Sequence, residues 1–92
     1  VIKVNEYLEG KVKRLGFDRE GIPYTAGVLM PGRYSSCMDG EEHLTVTLGS
    51  FQIRLSGAGW MEASGGQKVV IPQGVSFDLK VEAPASYLYM YR

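Results

Sequence analysis

The sequence predicts an all-β domain of about eight antiparallel strands with little or no helix, and three observations lead there. Twelve glycines in 92 residues are spread along the chain, dividing it into short runs rich in β-branched and aromatic residues. Two runs alternate cleanly. In residues 76–82, Phe77, Leu79 and Val81 share one face and Asp78, Lys80 and Glu82 the other, while Phe51, Ile53 and Leu55 oppose Gln52 and Arg54. Turn-forming clusters recur between the runs, and period two with one polar face marks half-buried antiparallel strands.

The elements follow from that punctuation. A strand over residues 12–17 is closed by Asp18-Arg19-Glu20-Gly21, one over 23–30 by Pro31-Gly32, and one over 32–37 by Asp39-Gly40. Residues 42–48 end at Gly49-Ser50, and residues 51–56 at Gly57-Ala58-Gly59. Residues 68–71 lie between Gly65-Gly66 and Gln73-Gly74, and residues 76–82 and 86–91 complete the set. Residues 5–9 are expected to form at most a short turn of helix, stopped by Gly10. A jelly-roll barrel manages the edges of so many short strands best at this size. Residues 1–92 make a single domain, with no repeats, linkers or low-complexity tracts.

Ten basic residues balance ten acidic ones, which argues against a nucleic-acid or anionic-membrane binder. The cluster Lys11, Lys13 and Arg14 reads as a solvated face. One cysteine, Cys37, allows no internal disulfide and fits a reducing compartment. No apolar run approaches the length of a membrane span, so a cytoplasmic protein is expected. A core this small is marginal, and dimerisation would help it.

Gly66-Gln67-Lys68-Val69-Val70-Ile71-Pro72-Gln73-Gly74 spells G-x5-P-x-G, and Glu42 stands seven residues before Gly49 in an E-x6-G frame. Both frames resemble the two conserved motifs of the cupin superfamily, which implies a single-domain cupin barrel. The resemblance places the usual metal-ligand positions on Ser35, Cys37, Glu42 and Phe77. One carboxylate among these four does not make a transition-metal site, so no metal is expected. Ligand positions of cupins point into the barrel, which puts these four inward. Alternation then adds Arg33 beside Ser35, and Leu44, Val46 and Leu48 beside Glu42. Arg33 and Glu42 are expected either to pair or to face a ligand, because charges are seldom buried alone.

Further stretches keep their order over nearly the whole chain: Asn5-Glu6-Tyr7, Gly10-Lys11-Val12-Lys13, Gly16-Phe17, Gly27-Val28, Pro31-Gly32-Arg33-Tyr34, Glu42-His43-Leu44-Thr45-Val46, Trp60, and Ser86-Tyr87-Leu88 with Tyr91. Together they resemble the pyrimidine/purine nucleoside phosphorylase family of small one-domain cupins. The chain departs from that pattern over residues 18–23, at His43 and at Pro72-Gln73-Gly74. The resemblance implies metal-independent phosphorolysis of ribonucleosides to free base and ribose 1-phosphate, with phosphate as co-substrate, no cofactor, and a homodimer. The alternative is a non-catalytic cupin that binds a sugar or other small metabolite.

That chemistry needs a phosphate anchor, a sugar site and a wall for the base. Arg33 is the expected phosphate ligand, since a guanidinium binds phosphate bidentately, with Lys11 or Lys13 assisting and Ser35 adding a hydroxyl. Glu42 is the expected catalytic residue, holding ribose hydroxyls or facing positive charge at the anomeric carbon. Phe77, Tyr87 and Tyr89 are expected to stack on the base. Phe77 is equally a core residue, and the Tyr87, Tyr89 and Tyr91 face is either cavity wall or dimer patch. His43 alternates with Glu42 and should point away from the cavity, and Trp60 reads as a packing residue.

Overall fold

A computed structural model describes residues 2–7, 9–37 and 40–91 as ten strands in two antiparallel sheets. They are β1 (Lys3–Tyr7), β2 (Val12–Arg19), β3 (Ile22–Leu29), β4 (Gly32–Cys37), β5 (Glu42–Leu48), β6 (Ser50–Leu55), β7 (Met61–Ser64), β8 (Lys68–Ile71), β9 (Ser76–Val81) and β10 (Ala85–Tyr91). One sheet has the order β1-β2-β3-β10-β5-β8, the other β4-β9-β6-β7. The all-β jelly-roll is the fold the sequence predicts, and among the described residues there is no helix.

The inner faces meet in one core. Leu29, Leu44, Val46, Ile71 and Ala85 from the large sheet are buried with Phe51, Ile53, Ala63, Phe77, Leu79 and Val81 from the small one. The alternation of β6 and β9 is realised as read: Phe51, Ile53, Phe77, Leu79 and Val81 are buried, and Gln52, Arg54 and Asp78 lie outward. Both cupin-motif turns need a left-handed glycine, with φ of 83° at Gly49 and 76° at Gly74. At Gly49 a Cβ would also stand 3.2 Å from the Pro84 carbonyl.

Four expectations are corrected. Residues 3–7 form strand β1 on β2, with Lys3 opposite Gly16 and Tyr7 opposite Val12, and not a helical turn. All five of these residues are exposed, so hydrophobic alternation carries little signal there. The short β7, paired with β6, was not expected at all. Leu48 is 72% exposed where it was expected inward. The β5–β10 register runs Ser86–Leu48 and then Tyr87–Val46, so Thr47 is an extra residue that turns Leu48 outward.

The fourth correction concerns β4. Its inward residues are Tyr34 and Ser36, while Arg33, Ser35 and Cys37 face out. Ser35 donates a hydrogen bond to Asp78 at 2.7 Å on the outer surface, and Arg33 stands opposite Lys80 in the register. Counting back from Glu42 crosses the β4–β5 connection, where strand alternation does not hold. A difference of one residue there exchanges the two faces.

Candidate active site

A cavity of about 410 Å³ opens between the β1–β2 side of the large sheet and the β4 edge of the small one. Its volume lies within the roughly 300–1,000 Å³ of small-molecule sites. Tyr7, Arg14, Tyr34, Ser36, Glu42, Phe77, Tyr87 and Tyr89 line it, over a floor of Val12, Leu29 and Leu79.

Glu42 opens β5 and is only 1% exposed. Its Oε2 has no hydrogen-bond partner among the described residues. Burial pushes its carboxyl up to about 7, against the opposing charge of Arg14. A carboxyl in this state carries its proton near neutral pH and donates it readily. Glu42 is therefore not paired with Arg33, and Arg14 is the cation whose field it feels.

Arg14 lies on the inner face of β2 with Val12, the face opposite Lys13 and Leu15. It is half-buried, donates a hydrogen bond to the Tyr7 hydroxyl at 2.9 Å, and sits 4.6 Å from the centre of the Tyr7 ring. The β2 register sets Arg14 against Gly27, and Gly27 against Tyr87. Tyr87 and Tyr89 are buried edge-on to each other at 4.9 Å, and Tyr91 follows at 6.0 Å from Tyr89. Burial pushes the Tyr87 hydroxyl up to about 12 and the Tyr89 hydroxyl well above its usual range. Both are neutral hydrogen-bonding groups at any working pH.

The structure thus brings Glu42, Phe77, Tyr87 and Tyr89 together, as the sequence suggested. The tyrosine face of β10 turns into the cavity, which decides between the two alternatives left open for it. Phe77 both lines the cavity and belongs to the core. Arg33 and Ser35 also line the cavity, at its β4 edge, but both are exposed and Ser35 is bonded to Asp78. Lys11 is exposed in the turn before β2, outside the cavity lining. Arg14 and Tyr7 were missed. Alternation from Val12 would have found Arg14, but the neighbouring lysines made it read as surface. Tyr7 went unseen because β1 was not read as a strand.

His43 points away from the cavity as expected, on the outer face, with Nε2 at 3.2 Å from Glu41. Trp60 stacks on Arg54, whose guanidinium carbon lies 4.7 Å from the ring centre. The cavity residues do not fit a resident metal. Two cupin ligand positions, Ser35 and Cys37, face outward and a third is the apolar Phe77. Among the described residues no three His, Cys, Asp or Glu side chains come together.

Comparisons with known proteins agree over the full length. The family model described as pyrimidine/purine nucleoside phosphorylase matches residues 2–91. Proteins of that name from Magnetococcus marinus and Teredinibacter turnerae are 39% and 40% identical to this chain over 92 residues. Each alignment covers 99% of this chain, and 99% and 98% of the respective relatives. A crystal structure of a Vibrio parahaemolyticus protein of unknown function superposes with a TM-score of 0.96 at 34% identity, covering 100% of this chain and 99% of that one. The Clostridium difficile EutQ protein shares the fold, with a TM-score of 0.75 at 20% identity over 87% of this chain and 66% of its own.

Proposed function

This chain belongs to the pyrimidine/purine nucleoside phosphorylase family, and from that membership we propose that it cleaves ribonucleosides with inorganic phosphate, releasing free base and ribose 1-phosphate. The observation that carries the reading is one cavity holding a half-buried guanidinium and a buried, unpartnered carboxyl under a tyrosine wall. Those are the groups the reaction needs for phosphate, leaving base and base plane.

Arg14 binds the phosphate dianion, with its guanidinium steadied by the Tyr7 hydroxyl. The tyrosine wall and Phe77 receive the base by its face, which accepts purines and pyrimidines alike. As the C1′–N bond breaks, its electron pair leaves with the base, and Glu42 delivers its proton to a base nitrogen or oxygen. A phosphate oxygen bonds to C1′. The resulting Glu42 carboxylate is stabilised by Arg14 and regains a proton from the product ester or solvent. These side chains carry the reaction without a metal, as a lone carboxylate is a poor transition-metal site.

The homodimer is assigned to the outer face of the large sheet. Val4, Leu15, Val28, Leu48 and Val70 are exposed on that face. A groove of about 560 Å³ runs among Leu15, Ala26, Val28, Met30 and Leu88. An apolar surface on a chain of zero net charge suits a second copy in an isologous pair. A cytoplasmic location fits the single thiol and the substrates.

The test is product analysis of chelator-treated protein with uridine or adenosine, with and without phosphate, for the native chain and the Arg14→Ala and Arg33→Ala variants. Base release that depends on phosphate is expected, with the phosphate KM raised roughly 10- to 100-fold by Arg14→Ala, the loss of a charge-assisted contact. Arg33→Ala should leave it nearly unchanged. No base release by folded native protein would leave a small-molecule-binding barrel as the better account.

A further inference from the structure

Gly27 lies in the middle of β3, buried, where glycine ordinarily weakens a strand because it contributes no side chain and loses more backbone freedom on folding. No left-handed backbone accounts for it, because Gly27 is absent from the positive-φ glycines. Space accounts for it. A Cβ at residue 27 would stand 2.5 Å from both Cζ and the hydroxyl oxygen of Tyr87, and 2.8 Å from Cε1. The Tyr87 ring lies across the bare backbone of Gly27.

The register shows what this achieves. Arg14, Gly27 and Tyr87 occupy one row across β2, β3 and β10. Strands two apart in a sheet are separated by roughly 9–10 Å, so a side chain on the middle strand would stand between side chains reaching across from the outer two. With glycine in the middle, the tyrosine reaches over the intervening strand toward the guanidinium, which stands in the same row and lines the same cavity. The charge of Arg14 opposes the rise that burial imposes on the Tyr87 hydroxyl. From the other side Arg14 is bonded to Tyr7. The guanidinium thus lies between the Tyr7 hydroxyl, to which it donates, and the Tyr87 side chain that crosses residue 27 in the same row.

We infer that Gly27 is a positioning residue for the anion site: it lets Tyr87 lie across β3 and hold Arg14 where an oxyanion of the phosphate class binds. The inference rests on the phosphorolysis reading only for the identity of that anion.

The experiment titrates inorganic phosphate calorimetrically into the native chain and into Gly27→Ala, Tyr87→Phe, Tyr87→Leu and Gly27→Ala/Tyr87→Leu, and measures phosphorolysis and thermal unfolding of each. Gly27→Ala should weaken phosphate binding about tenfold, the worth of one displaced hydrogen bond to a charged group, and raise the phosphate KM more than it lowers kcat. Tyr87→Phe keeps the ring on Gly27 and removes the hydroxyl, so it should weaken phosphate binding to a similar extent. In the Tyr87→Leu background, where no ring covers residue 27, adding Gly27→Ala should change phosphate affinity no further. Unchanged phosphate affinity in Tyr87→Phe overturns the inference, even if Gly27→Ala does not fold. An equal loss from Gly27→Ala with and without Tyr87 overturns it too. A native chain that binds phosphate in this Gly27-dependent way but releases no base upholds the inference and removes the phosphorylase reading.

Discussion

At the scale of single residues, Glu42 is the most consequential group. Among the described residues it is the one buried carboxyl, and its Oε2 finds no hydrogen-bond partner there. Because its proton is held up to about pH 7 in the fold and only to its ordinary 4.5 when exposed, its contribution to stability is full below pH 4.5 and is lost as pH rises through about 7. Glu42→Gln has no proton to lose. It should be more stable than the native chain at pH 8 by on the order of 2 kcal/mol, a figure reduced for water in the open cavity. Thermal unfolding at pH 5 and pH 8 checks this, and an equal difference at both would sink it. The same substitution should cost 100-fold or more, roughly, in turnover of guanosine. It should spare 7-methylguanosine, whose cationic base departs without needing a proton. Native turnover of guanosine should fall as pH rises through about 7, and equal losses on both nucleosides would refute the acid role.

Among the elements, the turns hold the two sheets in their relation to the site. Gly49 separates β5, which carries Glu42 in the large sheet, from β6 of the small sheet. Its φ of 83° strains any other residue, and a Cβ there would press to 3.2 Å of the Pro84 carbonyl. Gly49→Ala should therefore destabilise the protein by about 1–3 kcal/mol. Urea unfolding measures the loss, and a change under a few tenths of a kcal/mol would show that the turn relaxes. The strand elements were unevenly legible. β6 and β9 declared themselves by alternation because one face of each is buried and the other wet. β1 carries no such contrast, since both faces are exposed and only its pairing with β2 makes it a strand. The bulge at Thr47 was equally hidden, because it arises from the register with β10 rather than from residues near it in sequence.

For the whole molecule, the question is how the outer face of the large sheet is covered. Val28 stands on that face, with Lys13 and Ser86 as its register neighbours. A carboxylate there can pair with Lys13 and stay hydrated in a monomer, but would have to give up its water in a dimer interface. Val28→Asp should convert a dimer into monomers in sedimentation equilibrium. A native chain that sediments as a monomer at micromolar concentration would remove the assignment.

What the sequence determined by itself was whatever depends on local pattern: the all-β class, the glycine turns, the cupin frames, the buried Glu42 and the tyrosine strand. The family resemblance was legible in the same way, in short stretches kept in order. Tertiary structure decided which cation enters the cavity. Arg14 and Arg33 are chemically alike, and each has alternation that puts it on one face or the other. The β4–β5 connection and the pairing of β2 with β1 and β3 direct Arg33 outward and Arg14 inward. The physical reason is that a strand's two faces differ by a single residue of register, and register is fixed by pairing partners distant in the chain.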